Sequence, residues 1–563
     1  MSSAFRRAAL CLLVAAAPAA RADFIDLWAN KIDMPVNKAP RSGQSKLLLI
    51  PVQIDYTGPN GKLPALDVAR LTTFFTGAPA VETLNFKGFF QAASNKKFTP
   101  DVKVAPLVRY DGCPAMLAGS ADCTITRGDV SALKAGMDFV RDVFRRVHDE
   151  GKVDFGQFDA NGLGGEPDGY ADGVMLIVNL PDIGLAFPIS YVNSGSNLAG
   201  GTGGPLVLDG IKIPYVAIGG SSTVAGKVAF EYVMLHEFGH VLGLADLYHE
   251  HSFIGTDTYP KWEGLHFSLM GDYPYDERAT LPDAESRRAL NWQETKLISG
   301  TETVTLQPAA AGGAVVKLGQ LGANRQEYFL AEVRGPVGPL DLLSDGAGKP
   351  AWGLAVYHVD WSRGPKAAQG AWTERLIDCL DCDPFRPFIR NLESSNQWGL
   401  VFAGPMRPSS SSGGRIGISD DGVLFTNTGL ASLDNPGPLS VSNHYTSTNF
   451  YDGSQSGIRI DNVQLNADHS VTATFTAPFV ADPCADVTCA PLEQCVRSGP
   501  RMGNCDAITL PVADGGVPDA GTATSTPPPV KTLDGGCSTT SGAAALLPLA
   551  IAVALLAFRR RRA

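Results

Sequence analysis

The run His236-Glu237-Phe238-Gly239-His240, continued by Val241-Leu242-Gly243-Leu244-Ala245-Asp246, carries the residue types of a mononuclear zinc hydrolase. On a helix, residues four apart share a face, so His236 and His240 can present ring nitrogens to one ion. Glu237 adjoins the first histidine, where a carboxylate can take a proton from metal-bound water. Gly243 permits a positive φ and therefore a sharp helix end. That turn lets Asp246 swing back as a third ligand, with the fourth zinc position open to water. Ordinary hydrogen-bonded packing in a helix core would also explain two histidines, but not the glycine and aspartate at these offsets. Glu263 acting in place of Asp246 would put the site in a different class of zinc peptidase.

The elements that must hold this run are legible around it. Ala229 to Leu235 is largely apolar, and the site helix is expected over about Val224 to Leu242. Lys46 to Asp55 reads as a strand buried on both faces, with Pro51 suggesting a bulge or an edge. Leu133, Met137, Val140, Phe144 and Val147 recur at intervals of three and four. They predict an amphipathic helix over about Asp129 to Asp149, packed on a sheet. Val174 to Val178 and Ile211 to Ile218 read as further strands. This alternation predicts an α/β catalytic domain. Beyond Ser299 come short β-type runs at Thr301–Leu306, Glu327–Val333, Gly353–Val359 and Val471–Phe475. Gly, Pro, Asn and Ser separate them, which predicts a β-sandwich.

The 563 residues exceed a single domain, and 44% hydrophobic with 18% charged residues excludes a disordered chain. A net charge of −11 excludes a nucleic-acid binder, which needs a basic face. Arg6 and Arg7 precede an apolar run and Ala20-Arg21-Ala22, the pattern of a signal peptide covering 1–22. Export predicts paired cysteines. Of ten, Cys11 lies in the signal and Cys537 stands alone. Cys113 and Cys123 form one local group, Cys379 and Cys382 another, and Cys484, Cys489, Cys495 and Cys505 a third. The last group admits three disulfide pairings, with a zinc ribbon as the other reading. Val517 to Gly536 reads as an extended spacer. The apolar run Gly542 to Phe558 before Arg559 to Arg562 reads as a membrane span with its arginines on the cytoplasmic side.

The zinc motif, Ser268-Leu269-Met270-Gly271, Glu327 to Val333 and Gly353-Leu-Ala-Val-Tyr-His-Val-Asp360 together resemble the immune inhibitor A family. These are secreted bacterial zinc metallopeptidases of metzincin-like type, and the similarity runs from about Lys46 to Phe475. The resemblance implies a zincin catalytic domain followed by an all-β domain. It makes His236, His240 and Asp246 the zinc ligands, Glu237 the general base and Met270 the methionine of the turn beneath the metal. Asp159, Asn161, Asp168 and Asp172 are similar to the family's acidic loop and would offer oxygen ligands to calcium, a solvated turn being the other reading. The Gly535-Gly536-Cys537-Ser538 segment with the tail after it resembles the C-terminal sorting tail of myxobacterial surface proteins. That similarity implies processing or attachment at Cys537. The resulting division is a signal at 1–22, a short segment at 23–45 in the place of a propeptide, and a catalytic domain at 46–299. A β-sandwich at 300–480, a Cys-rich module at 481–506, a linker at 507–536 and the tail at 537–563 follow.

These readings converge on an exported or surface-anchored endopeptidase acting on proteins, with Tyr273 placed to steady the oxyanion or else simply packed in the core. Two other readings use the same residues. One is a surface adhesin whose catalytic fold is vestigial, and the other a metallohydrolase of non-peptide bonds.

Overall fold

The computed structural model describes 39–180, 184–247, 265–360, 389–392, 424–426, 447–484, 493–496 and 505–507. Within those spans it leaves out 60, 80–83, 119–122, 124–129, 161–166, 189–205, 214, 221–222, 225–226, 229, 245–246, 266, 272–278, 320–326, 344–346 and 481. The expected signal segment, the linker beyond Ala507 and the C-terminal tail with Cys537 lie outside the described residues, as do Cys379, Cys382 and Cys489, while Ala507 itself ends a short strand, Cys505–Ala507. The described residues belong to one compact unit, Met1–Ile508.

The first half is built on strands β1 (Gly43–Asp55), β2 (Phe98–Val104), β3 (Val108–Asp111), β4 (Val174–Val178), β5 (Gly184–Pro188) and β6 (Tyr215–Gly220). They form one sheet in the order β2-β1-β4-β6-β5, with β3 also paired to β1. Every pairing is parallel except β5 against β6. Side chains alternate between the faces of the strands, as the pleat requires. Leu47, Leu49, Met175, Ile177 and Ala217 enter one core, while Leu48, Ile50, Val52, Val174, Leu176 and Ile218 enter the other.

Helices α1 (Val68–Thr76), α2 (Phe86–Ala93) and α4 (Phe230–Val241) send apolar residues into the first core, and α3 (Val130–Asp149) into the second. Of the predicted α3 stripe, Val140, Phe144 and Val147 are fully buried, while the side chains of Leu133 and Met137 lie outside the described ones. A cluster of Phe74, Phe75, Phe86, Phe89, Phe90 and Phe98 fills the space beneath α4.

Three details depart from expectation. Pro51 sits in a central strand, opposite Ile177 of β4. On its other flank the partner changes, since β2 ends its ladder at Leu49 and β3 begins at Val52. Ala105 N donates to Leu49 O on that flank, so the N–H that proline lacks would have pointed at this gap. The single strand expected over Ile211 to Ile218 is divided. Ile211–Ile213 pairs with Leu206–Leu208 in a hairpin, and only Tyr215–Gly220 joins the sheet. Pro214 lies between them in sequence and has no N–H for a ladder. The site helix begins at Phe230 rather than Val224, because Thr223–Val224 and Lys227–Val228 pair with each other as antiparallel strands.

The second half opens with the short helix α5 (Ala284–Ala289) and strands β7 (Thr295–Ile298), β8 (Gly300–Leu306) and β9 (Val315–Leu318). It continues through β10 (Glu327–Arg334), β11 (Gly353–Asp360), β12 (Ile389–Leu392), β13 (Arg459–Leu465) and β14 (Val471–Ala477). These make a five-stranded sheet, β7-β9-β10-β11-β12, and a three-stranded sheet, β8-β14-β13. Strands β10 and β11 are buried on both faces. Phe329, Ala331, Val333, Leu354 and Val356 form a core with Val471, Ala473 and Phe475 of the smaller sheet. Tyr328, Leu330, Tyr357 and Val359 point the other way, into the same core as the site helix.

Disulfides join Cys113 to Cys123 and Cys484 to Cys495. The second takes two sulfurs from the group of four, so those four thiols do not form a zinc ribbon. No helix among the described residues is long and apolar enough to cross a membrane.

Candidate metal centre

Helix α4 carries His236, Glu237 and His240, and its back is fixed by aromatic packing. Phe238 meets Phe86 and Phe90 at ring-centroid distances of 5.1 Å each. Gly219 of β6 lets the helix approach the sheet, because a Cβ there would stand 2.5 Å from Met234 Sδ. At the start of the helix, Arg70 of α1 binds Glu231. Burial raises the Glu231 carboxyl from its ordinary value, and Arg70 opposes that rise.

The helix ends as the glycine predicted. Gly243 has φ +97°, Gly243 N donates to His240 O at 2.9 Å, and Leu244 N donates to Gly239 O at 2.9 Å. That pair of bonds is a Schellman turn, which only a residue tolerant of positive φ closes without strain. It reverses the chain so that Leu244 O lies 2.8 Å from His240 Nδ1. His236 Nδ1 lies 2.8 Å from Leu269 O.

A carbonyl oxygen only accepts, so in both rings Nδ1 must carry the proton. In a neutral imidazole the lone pair then resides on Nε2, the nitrogen a metal would take. The two rings stand 5.0 Å apart between centroids and at 88° to each other, on one face of the helix. His236 and Glu237 are buried, and His240 is partly open.

Met270 lies under this face. A Cβ on Gly239 would come within 2.6 Å of Met270 Sδ, so the glycine between the histidines is the space the methionine occupies. The turn that carries Met270 is tied from several sides. Gly271 N donates to Ser268 O at 3.1 Å, Leu269 N donates to Leu281 O at 3.1 Å, and Leu247 N donates to Met270 O at 2.9 Å. Ser268 Oγ donates to Asp283 Oδ2 at 2.7 Å, and Asp283 also caps α5 by accepting from Ser286 N. Burial pushes the Asp283 carboxyl up, and the bonds from Ser286 and Ser268 pull it back.

Gly239→Ala is therefore expected to destabilise the fold by about 1–3 kcal/mol, since the added methyl would force the fully buried Met270 side chain to shift. Chemical denaturation checks this, and an unchanged midpoint would show that the methionine can yield.

The structure brings His236, Glu237, His240, Gly243 and Met270 together. Asp246 and Tyr273 lie outside the described residues, as does Glu263. Among the described residues no three His, Cys, Asp or Glu side chains gather as a metal cluster. In the acidic loop, Asp159 accepts from Asp168 N at 3.0 Å and from Gly169 N at 2.8 Å. Asp168 accepts from Tyr170 N at 3.0 Å, and Asp172 from Lys46 N at 2.9 Å. Asp159 and Asp168 thus hold the turn itself together, and Asp172 ties its end to β1. Asn161 lies outside the described residues.

The chain matches no protein-family model and no curated protein. Sequence reading overlooked Leu244, Leu269, Leu281 and Asp283, which act on the site through backbone bonds or a cap.

Proposed function

We propose that this chain is an exported zinc-dependent endopeptidase with a metzincin-like zincin catalytic domain and a β-sandwich behind it. The observation that carries the reading is the pair of histidines on one helix face, each committing Nδ1–H to a backbone carbonyl and keeping its Nε2 lone pair. Two neutral imidazoles with a carboxylate are a donor set suited to zinc. His236 and His240 would hold the ion with Asp246. Bound there, zinc supplies a Lewis acid and brings the pKa of a water ligand toward about 7.

The chain's own groups do the rest. Glu237, buried beside His236, accepts the proton of the attacking water and returns it to the leaving amine. Tyr273 is proposed to donate to the oxyanion, and a Tyr273→Phe variant with unchanged turnover would remove it from that role. Strand β5 favours a peptide substrate. Among the described residues it is the outermost strand of the sheet, antiparallel to β6, and α4 packs against both. The backbone groups on its outer side are what an extended peptide uses to add a strand. Calcium at Asp159, Asn161, Asp168 and Asp172, and membrane attachment through the tail with processing at Cys537, belong to the same proposal.

The test is metal analysis and casein cleavage with the soluble portion, Asp23 to Asp506. About one zinc per chain is expected, with cleavage abolished by a chelator and restored by zinc. A protein that keeps no zinc, or cleaves equally well after chelation, would overturn the reading. Zinc without cleavage of any substrate would favour the surface recognition protein.

A further inference from the structure

We propose that Arg334 and Asp341, in the β-rich half of the chain, are positioning residues for His236. The proposal rests on the reading of His236 and His240 as metal ligands. Its basis is an unbroken run of hydrogen bonds through buried groups. His236 Nδ1 donates to Leu269 O at 2.8 Å, and Leu269 N donates to Leu281 O at 3.1 Å. Leu281 is gripped at both of its backbone groups. Its N–H donates to Asp341 Oδ1 at 2.9 Å, and its carbonyl accepts from Arg334 Nη2 at 3.2 Å. Arg334 Nη2 also donates to Asp341 Oδ1 at 2.6 Å, closing the clamp. Arg334 and Asp341 are wholly buried.

An imidazole is directed only as well as the carbonyl that takes its Nδ1–H. The Leu269 carbonyl belongs to a turn whose amide side is held by Leu281, and Leu281 is held by the ion pair. Replacing a buried ion pair by apolar residues is often neutral or stabilising, so stability alone is a weak reason to keep one. The rest of the network shows what the pair is braced against. Arg334 Nη1 donates to Glu332 Oε1 at 3.1 Å, Tyr357 Oη donates to the same oxygen at 2.8 Å, and Arg287 of α5 binds the other carboxylate oxygen.

His240 provides the internal comparison. Its carbonyl partner, Leu244, sits on the Schellman turn of the helix itself, and among the described residues its backbone makes no hydrogen bond to this network. Loss of the clamp should therefore disturb one histidine and spare the other, whereas general loosening of the fold would disturb both.

The test uses the full chain with 15N-labelled histidine, comparing wild type with the charge-balanced double variant Arg334→Met/Asp341→Leu. In metal-free protein, the His236 Nδ1–H signal is expected to exchange faster with solvent while that of His240 is unchanged. Zinc affinity, read by chelator competition, is expected to fall by roughly 10–100-fold, the usual consequence of losing an outer hydrogen-bond partner of a ligand. Asp341→Asn keeps an oxygen for Leu281 N–H and should restore most of that affinity. If the double variant does not fold, Arg334→Lys keeps the charge but not the fork, and should show the same asymmetry between the histidines. Equal change in both signals, change in neither, or unaltered zinc affinity would overturn the proposal. A wild type that binds no zinc defeats the metal reading instead, and the metal-free comparison of the two signals still decides whether the clamp directs His236.

Discussion

Glu237→Gln is expected to retain its zinc and to lose turnover by about 10²–10⁴-fold, the range spanned by removal of a general base. The two halves of that expectation come from different parts of the site. Retention follows because the groups that direct the imidazoles, Leu269 O and Leu244 O, are backbone atoms that the substitution leaves in place. Glutamine also preserves the volume of a buried side chain, so the helix should not repack. Loss of turnover follows because an amide has no lone pair basic enough to take a proton from water at neutral pH. Substrate binding should change little, so kcat falls while KM stays near its wild-type value. Activity within tenfold of wild type would show that Glu237 is not the base. Parallel loss of zinc and activity would show that it holds the metal site together.

The parts of the molecule that the sequence announced are those governed by residues close together in the chain. The β1 and β4 runs are apolar on both faces because the sheet is covered on both sides, and a continuous apolar stretch reports that directly. The α3 stripe and the His236/His240 pair depend only on helical period. Gly243 was readable because a Schellman turn needs positive φ at one fixed offset. What stayed hidden depends on distant partners. Nothing near Asp283 says that it bonds Ser268, and nothing near Arg334 says that it grips Leu281. Pro51 misled because proline is awkward in a ladder, yet here the flank it faces lies between the ends of two shorter strands. The gap becomes visible only once all three strands are assembled. A hydrophobic pattern shows that a strand is buried on both faces but not what covers each face. For β10 and β11, one face meets the smaller sheet and the other meets the core beneath the site helix.

That last arrangement leads to the second large expected effect. A fragment ending at Ser299, the boundary that the change of sequence texture suggests, should not fold, while one ending at Val480 should. The core under the site helix is continuous from Met234, Leu235 and Phe238 through Met270, Leu281, Leu290 and Trp292 to Val315, Tyr328, Leu330, Tyr357 and Val359. Cutting at Ser299 bares the side of that core which β10 and β11 cover. Exposing about half a dozen large apolar side chains at about 1.5–3 kcal/mol each costs on the order of 10 kcal/mol. Whole domains are stable by only about 5–15 kcal/mol, so little or nothing would remain. The same cut removes Arg334 and Asp341, and with them the grip on Leu281. Asp23–Ser299 is therefore expected to lack a cooperative thermal transition and to bind a hydrophobic dye, while Asp23–Val480 melts in one step. A shorter fragment that melts cooperatively within a few degrees of the longer one would show that the first half closes its own core. In that case the β-rich half would be an appendage to the site, and the support it lends to His236 would have to be dispensable for folding.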